Sequence, residues 1–313
     1  MPHTKPGDYV AVTGATGFVG RTLVEFLWSS GYKVIGISER PEPPVCIAHM
    51  LDEYHCADLT QGWPPLKSFA GLIHLAGLAA VGPSFDHPQM YIENNSAMMT
   101  HIFESVLADK WRGRAIVVSS GAVYRTSGGE RHEFIESSPV ASTSPYVVSK
   151  LLVENQAEYY KRRGLDILVA RPFNHIGPGQ REGFILPDLF RKVSMHTSRS
   201  AMAIGNLDSS RDYTDVRDIV RAYILLLECA APRYWLYNVC SGAERSGWDI
   251  LTTICRFQRK AIPPTRREKS RAIDPLAIKG NAERLRAETG WIPSIQFETS
   301  IRDFIRSVDD CGY

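Results

Sequence analysis

Short apolar, β-branched runs alternate with amphipathic stretches of helical period through the first half of the chain. Tyr9-Val10-Ala11-Val12-Thr13 reads as a buried strand, and residues 19–30 as a helix ended by Gly31. Further strands are predicted at 33–37, 72–76, 115–119 and 166–170. Strands with no polar face, separated by helices, predict a parallel sheet covered on both sides. The regularity breaks after Arg171-Pro172, where Gly, Pro and Arg become more frequent and regular strands fewer. The expected organisation is therefore α/β. Residues 1–174 form a doubly wound parallel sheet, to which about 214–242 returns through Tyr237-Asn238-Val239, and 175–313 form mainly a smaller lobe. Residues 126–144 are polar and rich in Gly and Ser, which predicts a loop over the ligand edge of the sheet.

Composition narrows the class without changing that picture. The 313 residues are 44% hydrophobic and 22% charged, enough for a substantial core. A formal net charge of +2, from 36 basic and 34 acidic side chains, argues against a general nucleic-acid binder. The six cysteines include no C-x-x-C pair, so zinc and redox readings gain little and no metal is expected. No segment reads as a signal peptide or reaches about 18 consecutive apolar residues. The expectation is a soluble, cytoplasmic protein without a membrane partner.

The candidate chemistry starts at Thr13-Gly14-Ala15-Thr16-Gly17-Phe18-Val19-Gly20, a G-x-x-G-x-x-G turn between the first strand and the first helix. Glycines there permit a tight turn and let a pyrophosphate approach the N–H groups of the helix N-terminus. This predicts a Rossmann-type dinucleotide site lined by Gly14, Thr16, Gly17, Phe18, Val19 and Gly20. The second strand ends at Ser38-Glu39-Arg40, near where an acid would accept from a ribose 2′-hydroxyl. If Ser38 holds that position and Arg40 points inward, NADP(H) is favoured; if Glu39 holds it, NAD(H) is. The reading leans to NADP(H). Asp58, beside Leu59, suits an adenine contact and equally a turn or helix cap.

Tyr146 and Lys150 are four apart on a predicted helix, one above the other. An ammonium beside a phenol favours the phenolate and predicts a lowered Tyr146 pKa. Ser119-Ser120-Gly121-Ala122-Val123-Tyr124 follows a strand and so belongs at the carboxyl edge of the sheet, where ligands bind.

Together with His74-Leu75-Ala76-Gly77 and Asn95, these motifs make the whole chain resemble the extended short-chain dehydrogenase/reductase family, whose members act on nucleotide-diphosphate sugars with a nicotinamide cofactor. The resemblance implies that Ser120 hydrogen-bonds the reacting sugar oxygen, that Tyr146 exchanges its proton, and that Lys150 tunes the phenol and binds the nicotinamide ribose. Leu75, Ala76, Gly77 and Asn95 would line the cofactor. Asn95 bracing the site and Asn95 capping a helix are both open. Dehydratases of the family carry an acid two residues before the Tyr that closes this stretch; here Ala122 stands there, preceded by Gly121, which leaves a reductase or an epimerase.

Two later stretches, from Arg171-Pro172-Phe173-Asn174-His175 to Gln180 and from Gly205-Asn206-Leu207 to Asp218, look like the GDP-sugar branch, with wording nearest its 4-keto-6-deoxy-mannose reductases. By that resemblance Asn174 and Arg211 hold the diphosphate, and Asn206 and Leu207 lie near the nucleotide. For Arg211, an ion pair with Asp212 or Asp215 is the alternative. Arg271, with Asp274, stands where the branch places an Arg-Pro-x-acid group, with Ala272 replacing the Pro. His175 is expected to be a packed histidine. Arg125, Gly77 and Arg245-Ser246-Gly247-Trp248 depart from the family pattern and suggest an unusual sugar. The implied activity is NADP(H)-dependent reduction of GDP-4-keto-6-deoxy-D-mannose to GDP-6-deoxy-D-mannose. The alternatives are another 4-keto sugar nucleotide, a 4-epimerase retaining NAD, or an inactive scaffold. A homodimer is implied through the Tyr146 helix and its neighbour, along a stripe that includes Leu151, Leu152 and Tyr159.

Overall fold

In the computed structural model, which describes residues 3–126, 131–196, 200–267 and 276–311, strand and helix alternate much as the apolar pattern predicts. β1 (Tyr9–Thr13) runs through the glycine turn into α1 (Phe18–Ser29), β2 (Lys33–Ser38), the single turn α2 (Val45–Ala48) and β3 (Glu53–Cys56). Next come β4 (Gly71–His74), the short α3 (Val81–Ser84), the long α4 (Pro88–Ala108), β5 (Arg114–Val118), β6 (Arg131–Phe134), α5 (Pro145–Arg162) and β7 (Asp166–Pro172). The second half holds β8 (Asn174–Ile176), α6 (Ile185–Met195), β9 (Met202–Ile204), β10 (Ser210–Asp215), α7 (Val216–Glu228), β11 (Leu236–Val239) and β12 (Glu244–Ser246). It closes with α8 (Gly247–Phe257), β13 (Thr265–Arg267), β14 (Ala277–Gly280), α9 (Glu283–Thr289) and α10 (Phe297–Cys311).

Seven parallel strands form the main sheet in the order β3-β2-β1-β4-β5-β7-β11. Successive residues of a strand face opposite sides, so each strand feeds two cores. Val10 and Val12 pack with Leu23, Val24 and Leu27 of α1 and with Tyr223 and Leu227 of α7. Ala11 faces the other way, into Met99, Ile102 and Phe103 of α4 and Val153 and Ala157 of α5. The order of connection reverses between β1 and β4, which opens a crevice at the carboxyl ends of those strands.

After β7 the chain builds a second layer and returns to the main sheet with α7 and β11. The lobe has a sheet in the order β12-β10-β14-β6, with β8 paired to β10, and a separate β9-β13 pair. Its own core joins Leu186 and Leu189 of α6, Ile250 and Ile254 of α8, and Phe304 of α10. The stretch expected as a loop over the site contains β6, paired in parallel with β14; residues 127–130 of it lie outside the described residues. Four residues read as polar loop become a strand because a segment some 145 positions later offers an edge to pair with. Among the described residues, no helix is long and apolar enough to cross a membrane, and no group of three or more His, Cys, Asp or Glu side chains could hold a metal.

Candidate active site

The glycine turn sits in the crevice, at the end of β1. Gly17 gives α1 no side-chain cap, and the first turn of the helix carries no acidic residue, so its N–H groups are open to an anion. The turn is as tight as backbone allows: a Cβ on Gly20 would lie 2.1 Å from the Gly14 carbonyl oxygen. Beside it, Thr13 Oγ1 accepts from the backbone N–H groups of Leu75 and Ala76, both at 3.1 Å, so its own proton goes to His74 Nδ1 at 2.8 Å. His74 is thereby a neutral Nε2–H imidazole. Burial, and then the charge of Lys150, push its pKa down to about 3. This pairing ties the β4 end, with Leu75, Ala76 and Gly77, to the glycine turn.

At the end of β2, Ser38 Oγ lies 2.7 Å from Thr16 Oγ1, so Ser38 is the residue that faces the turn. Glu39 and Arg40 are exposed. The Tyr54 hydroxyl donates to the Arg40 carbonyl at 2.6 Å and fixes that bend, a role the sequence reading passed over. Asp58 Oδ1 accepts from Thr60 N at 2.9 Å and Thr60 Oγ1 at 2.7 Å, which makes it a turn aspartate. The Leu59 side chain is buried in the core.

Asn95 is in the middle of α4, so it caps no helix. It accepts from Leu78 N at 2.9 Å and donates to Ser149 Oγ at 2.9 Å, which in turn donates to the Tyr146 carbonyl at 2.8 Å. Asn95 therefore braces α5 against the loop after β4. The same side chain explains Gly77: with φ at +151°, its Cβ would sit 2.9 Å from Asn95 Oδ1. Any side chain at Gly77 would press on the amide that braces α5.

Tyr146 shares a hydrogen bond with Ser120, and Lys150 lies one turn further along α5. Ser120 caps the single turn 121–123 by accepting from Ala122 N at 3.1 Å. Ser144 caps α5 by accepting from Val147 N at 3.2 Å, which starts the helix two residues before Tyr146. Lys150 Nζ donates to the Val118 carbonyl at 2.9 Å. The predicted lowering of the Tyr146 pKa is not what the fold provides. Burial raises it, and a hydrogen bond with Ser120 pulls it partly back. The reason is desolvation, which disfavours the phenolate and also drags Lys150 itself down to about 8. At neutral pH Tyr146 is a phenol, suited to giving a proton.

Behind these three lies a buried network that sequence reading missed. Glu154, one turn beyond Lys150, takes a bidentate pair from Arg171, Nε and Nη2 both at 2.7 Å, and accepts a hydrogen bond from Ser119 Oγ. The Arg171 guanidinium lies 4.8 Å from the centre of the Tyr124 ring, and the Tyr124 hydroxyl donates to Asn238 Oδ1 at 2.6 Å. The i, i+4, i+8 spacing of Tyr146, Lys150 and Glu154 was the available signal.

The lobe closes the crevice from the other side. Asn174 on β8 and Arg211 on β10 sit on adjacent strands, with Tyr213 opposite Asn174. Arg211 is directly opposite Arg245 of β12, so two guanidinium groups share one face, another pairing hidden from sequence. The His175 ring stacks on Phe18, centroids 5.9 Å apart, and Arg21 donates to the Gly179 carbonyl at 2.8 Å, which joins lobe and glycine turn. Asn206 accepts from Asp208 N at 3.1 Å, while the Leu207 side chain is buried in the lobe core. Arg271 and Asp274 lie outside the described residues. In Arg211-Asp212-Tyr213-Thr214-Asp215-Val216-Arg217-Asp218, most charges are structural. Arg217 pairs with Asp215 and Asp303, and Asp218 accepts from the N–H groups of Ser294 and Ile295, both at 2.9 Å.

Comparison with known proteins agrees with this fold. The family model of NAD dependent epimerases and dehydratases matches residues 10–240. The chain is 31% identical over 301 residues to GDP-6-deoxy-D-mannose reductase of Pseudomonas aeruginosa, spanning 93% of this chain and 94% of that protein. It is 26% identical to UDP-glucose 4-epimerase 3 of Oryza sativa subsp. japonica, over 95% of this chain and 88% of that one. Among solved structures, RMD from Pseudomonas aeruginosa complexed with NADPH superposes with a TM-score of 0.81 at 28% identity, covering 97% of this chain and 99% of that one. MoeE5 in complex with UDP-glucuronic acid and NAD gives 0.83 at 27% identity, covering 97% and 100%.

Proposed function

The chain belongs to the NAD dependent epimerase/dehydratase family, and within it we propose a reductase that uses NADP(H) to reduce a nucleotide-linked 4-keto-6-deoxy-hexose, GDP-4-keto-6-deoxy-D-mannose first among them. The observation that carries the reading is Ser38 facing the glycine turn, which supports NADP(H) over a retained NAD, and the turn beside Tyr146 argues against a dehydratase. That second turn offers the Ser120 hydroxyl, and no carboxylate for eliminating water: Ala122 is exposed, and any side chain at Gly121 would meet the Phe173 ring at 2.8 Å. Similarity to GDP-6-deoxy-D-mannose reductase supports the substrate class.

The glycine turn, the open N-terminus of α1 and the Thr13-braced β4 end fit a dinucleotide. Ser38, turned toward Thr16 with Arg40 beside it, supports a 2′-phosphate over a bare ribose. A nicotinamide cofactor bound there supplies the hydride for sugar carbon 4. Ser120 orients the carbonyl, and Tyr146, held protonated by burial, gives its proton to the oxygen as charge develops. Lys150 sits one turn along α5 as the positive charge of the site. Asn174 and Arg211 receive the diphosphate, with Arg245 opposite Arg211 on the same face. A homodimer through α4 and α5 belongs to this reading, supported by Tyr159, 53% exposed on α5.

The second reading is a 4-epimerase with retained NAD, favoured by the 26% identity to a UDP-glucose 4-epimerase over nearly the whole chain. Consumption of NADPH and NADH with GDP-4-keto-6-deoxy-mannose made in situ separates the two. Stoichiometric oxidation by wild type, lost in Tyr146→Phe, is the expected result. Turnover of a UDP-hexose without added cofactor, and none of the keto sugar, would replace the reductase with the epimerase.

A further inference from the structure

Lys150 does not act alone in this site. Tyr146, Lys150 and Glu154 occupy one stripe of α5, and all three are buried. A buried carboxylate needs partners, and Glu154 has them from two other elements: Arg171 at the end of β7, through two charge-assisted hydrogen bonds, and Ser119 just past the end of β5. Ser119 and Val118 are the two residues before Ser120, and Val118 receives the Lys150 ammonium. The backbone that delivers Ser120 is thus held twice by α5, once from Lys150 and once from Glu154.

We propose that Glu154 is a positioning residue for the reaction, anchoring through Ser119 the strand end that presents Ser120 and placing a carboxylate one turn beyond Lys150 on the same buried face of α5. The proposal rests on the reading of Ser120, Tyr146 and Lys150 as the reacting site. The groups that face this cluster are few. Lys150 is faced by Glu154 on its own helix and by the neutral His74 at the end of β4. Glu154 is faced by Arg171 from β7. Arg171 in turn is faced by Tyr124 and by the Glu136 backbone carbonyl. Glu136 itself is engaged by Asn238 N and Arg284. Glu154 is the anion whose field raises the Lys150 pKa against burial. Without it the ammonium releases its proton at lower pH, and the alkaline limb of activity moves down.

Two variants separate tether from charge. Ser119→Ala removes the hydrogen bond and leaves the ion pair. Glu154→Gln keeps the shape and removes the charge. Glu154→Gln/Arg171→Gln removes the pair together, so that no guanidinium is left buried alone if the single variant does not fold. One readout is the kcat–pH profile with the keto sugar. The other is an NMR titration of Lys150 in protein carrying 13C-labelled lysine, assigned with Lys150→Arg, which needs no substrate. The proposal expects Lys150 to titrate at lower pH in Glu154→Gln, by about one unit, a tenfold loss of proton affinity, and to move in the same direction by less in the double variant, which removes a positive charge along with the negative one. It also expects Ser119→Ala to lower kcat about tenfold without moving the alkaline limb. A Lys150 titration unchanged by Glu154→Gln, or by the double variant, overturns the charge role. Wild-type kcat in Ser119→Ala overturns the tether. If no keto sugar is turned over, the NMR titration still decides the charge role, so failure of the assigned activity is distinguishable from failure of this proposal.

Discussion

Lys150→Met measures what the fold gives up to keep a charge in its site. Lys150 is buried, and burial brings its pKa from 10.5 to about 8. At about 1.4 kcal/mol per pH unit, the buried ammonium costs folding about 3 kcal/mol while both states are protonated. Between about pH 8 and 10.5 the unfolded chain holds the lysine proton and the folded protein has released it. The unfolded state then binds more protons, so stability from this group rises with pH through that window, and the penalty is fully present below it. Methionine has similar length and no charge, and lacks this dependence. The stability of Lys150→Met relative to wild type is therefore expected to fall by about 2 kcal/mol from about pH 7 to about pH 9.5. Its advantage at neutral pH is smaller than the full 3 kcal/mol, because the Val118 carbonyl loses its 2.9 Å partner, at a cost of about 1–2 kcal/mol. The assay is urea unfolding of both proteins at three pH values, read by far-UV circular dichroism with slopes compared. A difference that stays constant within about 0.5 kcal/mol across that range would refute the claim that a desolvated ammonium sits at position 150.

Other consequences follow from single contacts. Asp212 accepts from Ser241 N and Gly242 N at 2.8 Å, from Ser241 Oγ at 2.6 Å and from Gly280 N at 3.2 Å. Asp212→Ala strands three backbone N–H groups and should cost about 3–4 kcal/mol in urea unfolding, and a loss under about 1 kcal/mol would show that the carboxylate does not pin β10 to β14. Gly20→Ala puts a Cβ 2.1 Å from the Gly14 carbonyl, so α1 must move; NADPH affinity, followed by nicotinamide fluorescence, should weaken at least about tenfold. Unchanged binding would remove the glycine turn from the cofactor site. Ser38→Asp places a carboxylate beside Thr16, where it should turn away a 2′-phosphate and shift the NADPH to NADH preference toward NADH by about one to two orders of magnitude. An unaltered ratio of the two kcat/KM values would mean that Ser38 does not read the ribose.

By itself the sequence determined the alternation of strand and helix, the glycine turn between β1 and α1, and the placing of Tyr146 and Lys150 on one helix face, because each is written in contiguous residues or in a helical period of four. Local sterics and hydrophobic periodicity act over that range, and they need no knowledge of the rest of the chain. Tertiary structure decided what depends on partners far away. β6 is a strand only because β14 lies beside it. Ser38 rather than Glu39 faces the turn because Thr16 Oγ1, 22 residues earlier, is there to meet it. In the 211–218 stretch Arg217, Asp218 and Asp212 belong to the scaffold because of Asp303, Ser294 and Gly280, which no spacing rule brings near. The direction of the Tyr146 pKa belongs to the same class. Helical spacing set a lysine one turn from a tyrosine, but only the packed fold removed the water, and desolvation outweighs the hydrogen bond from Ser120 that favours the phenolate.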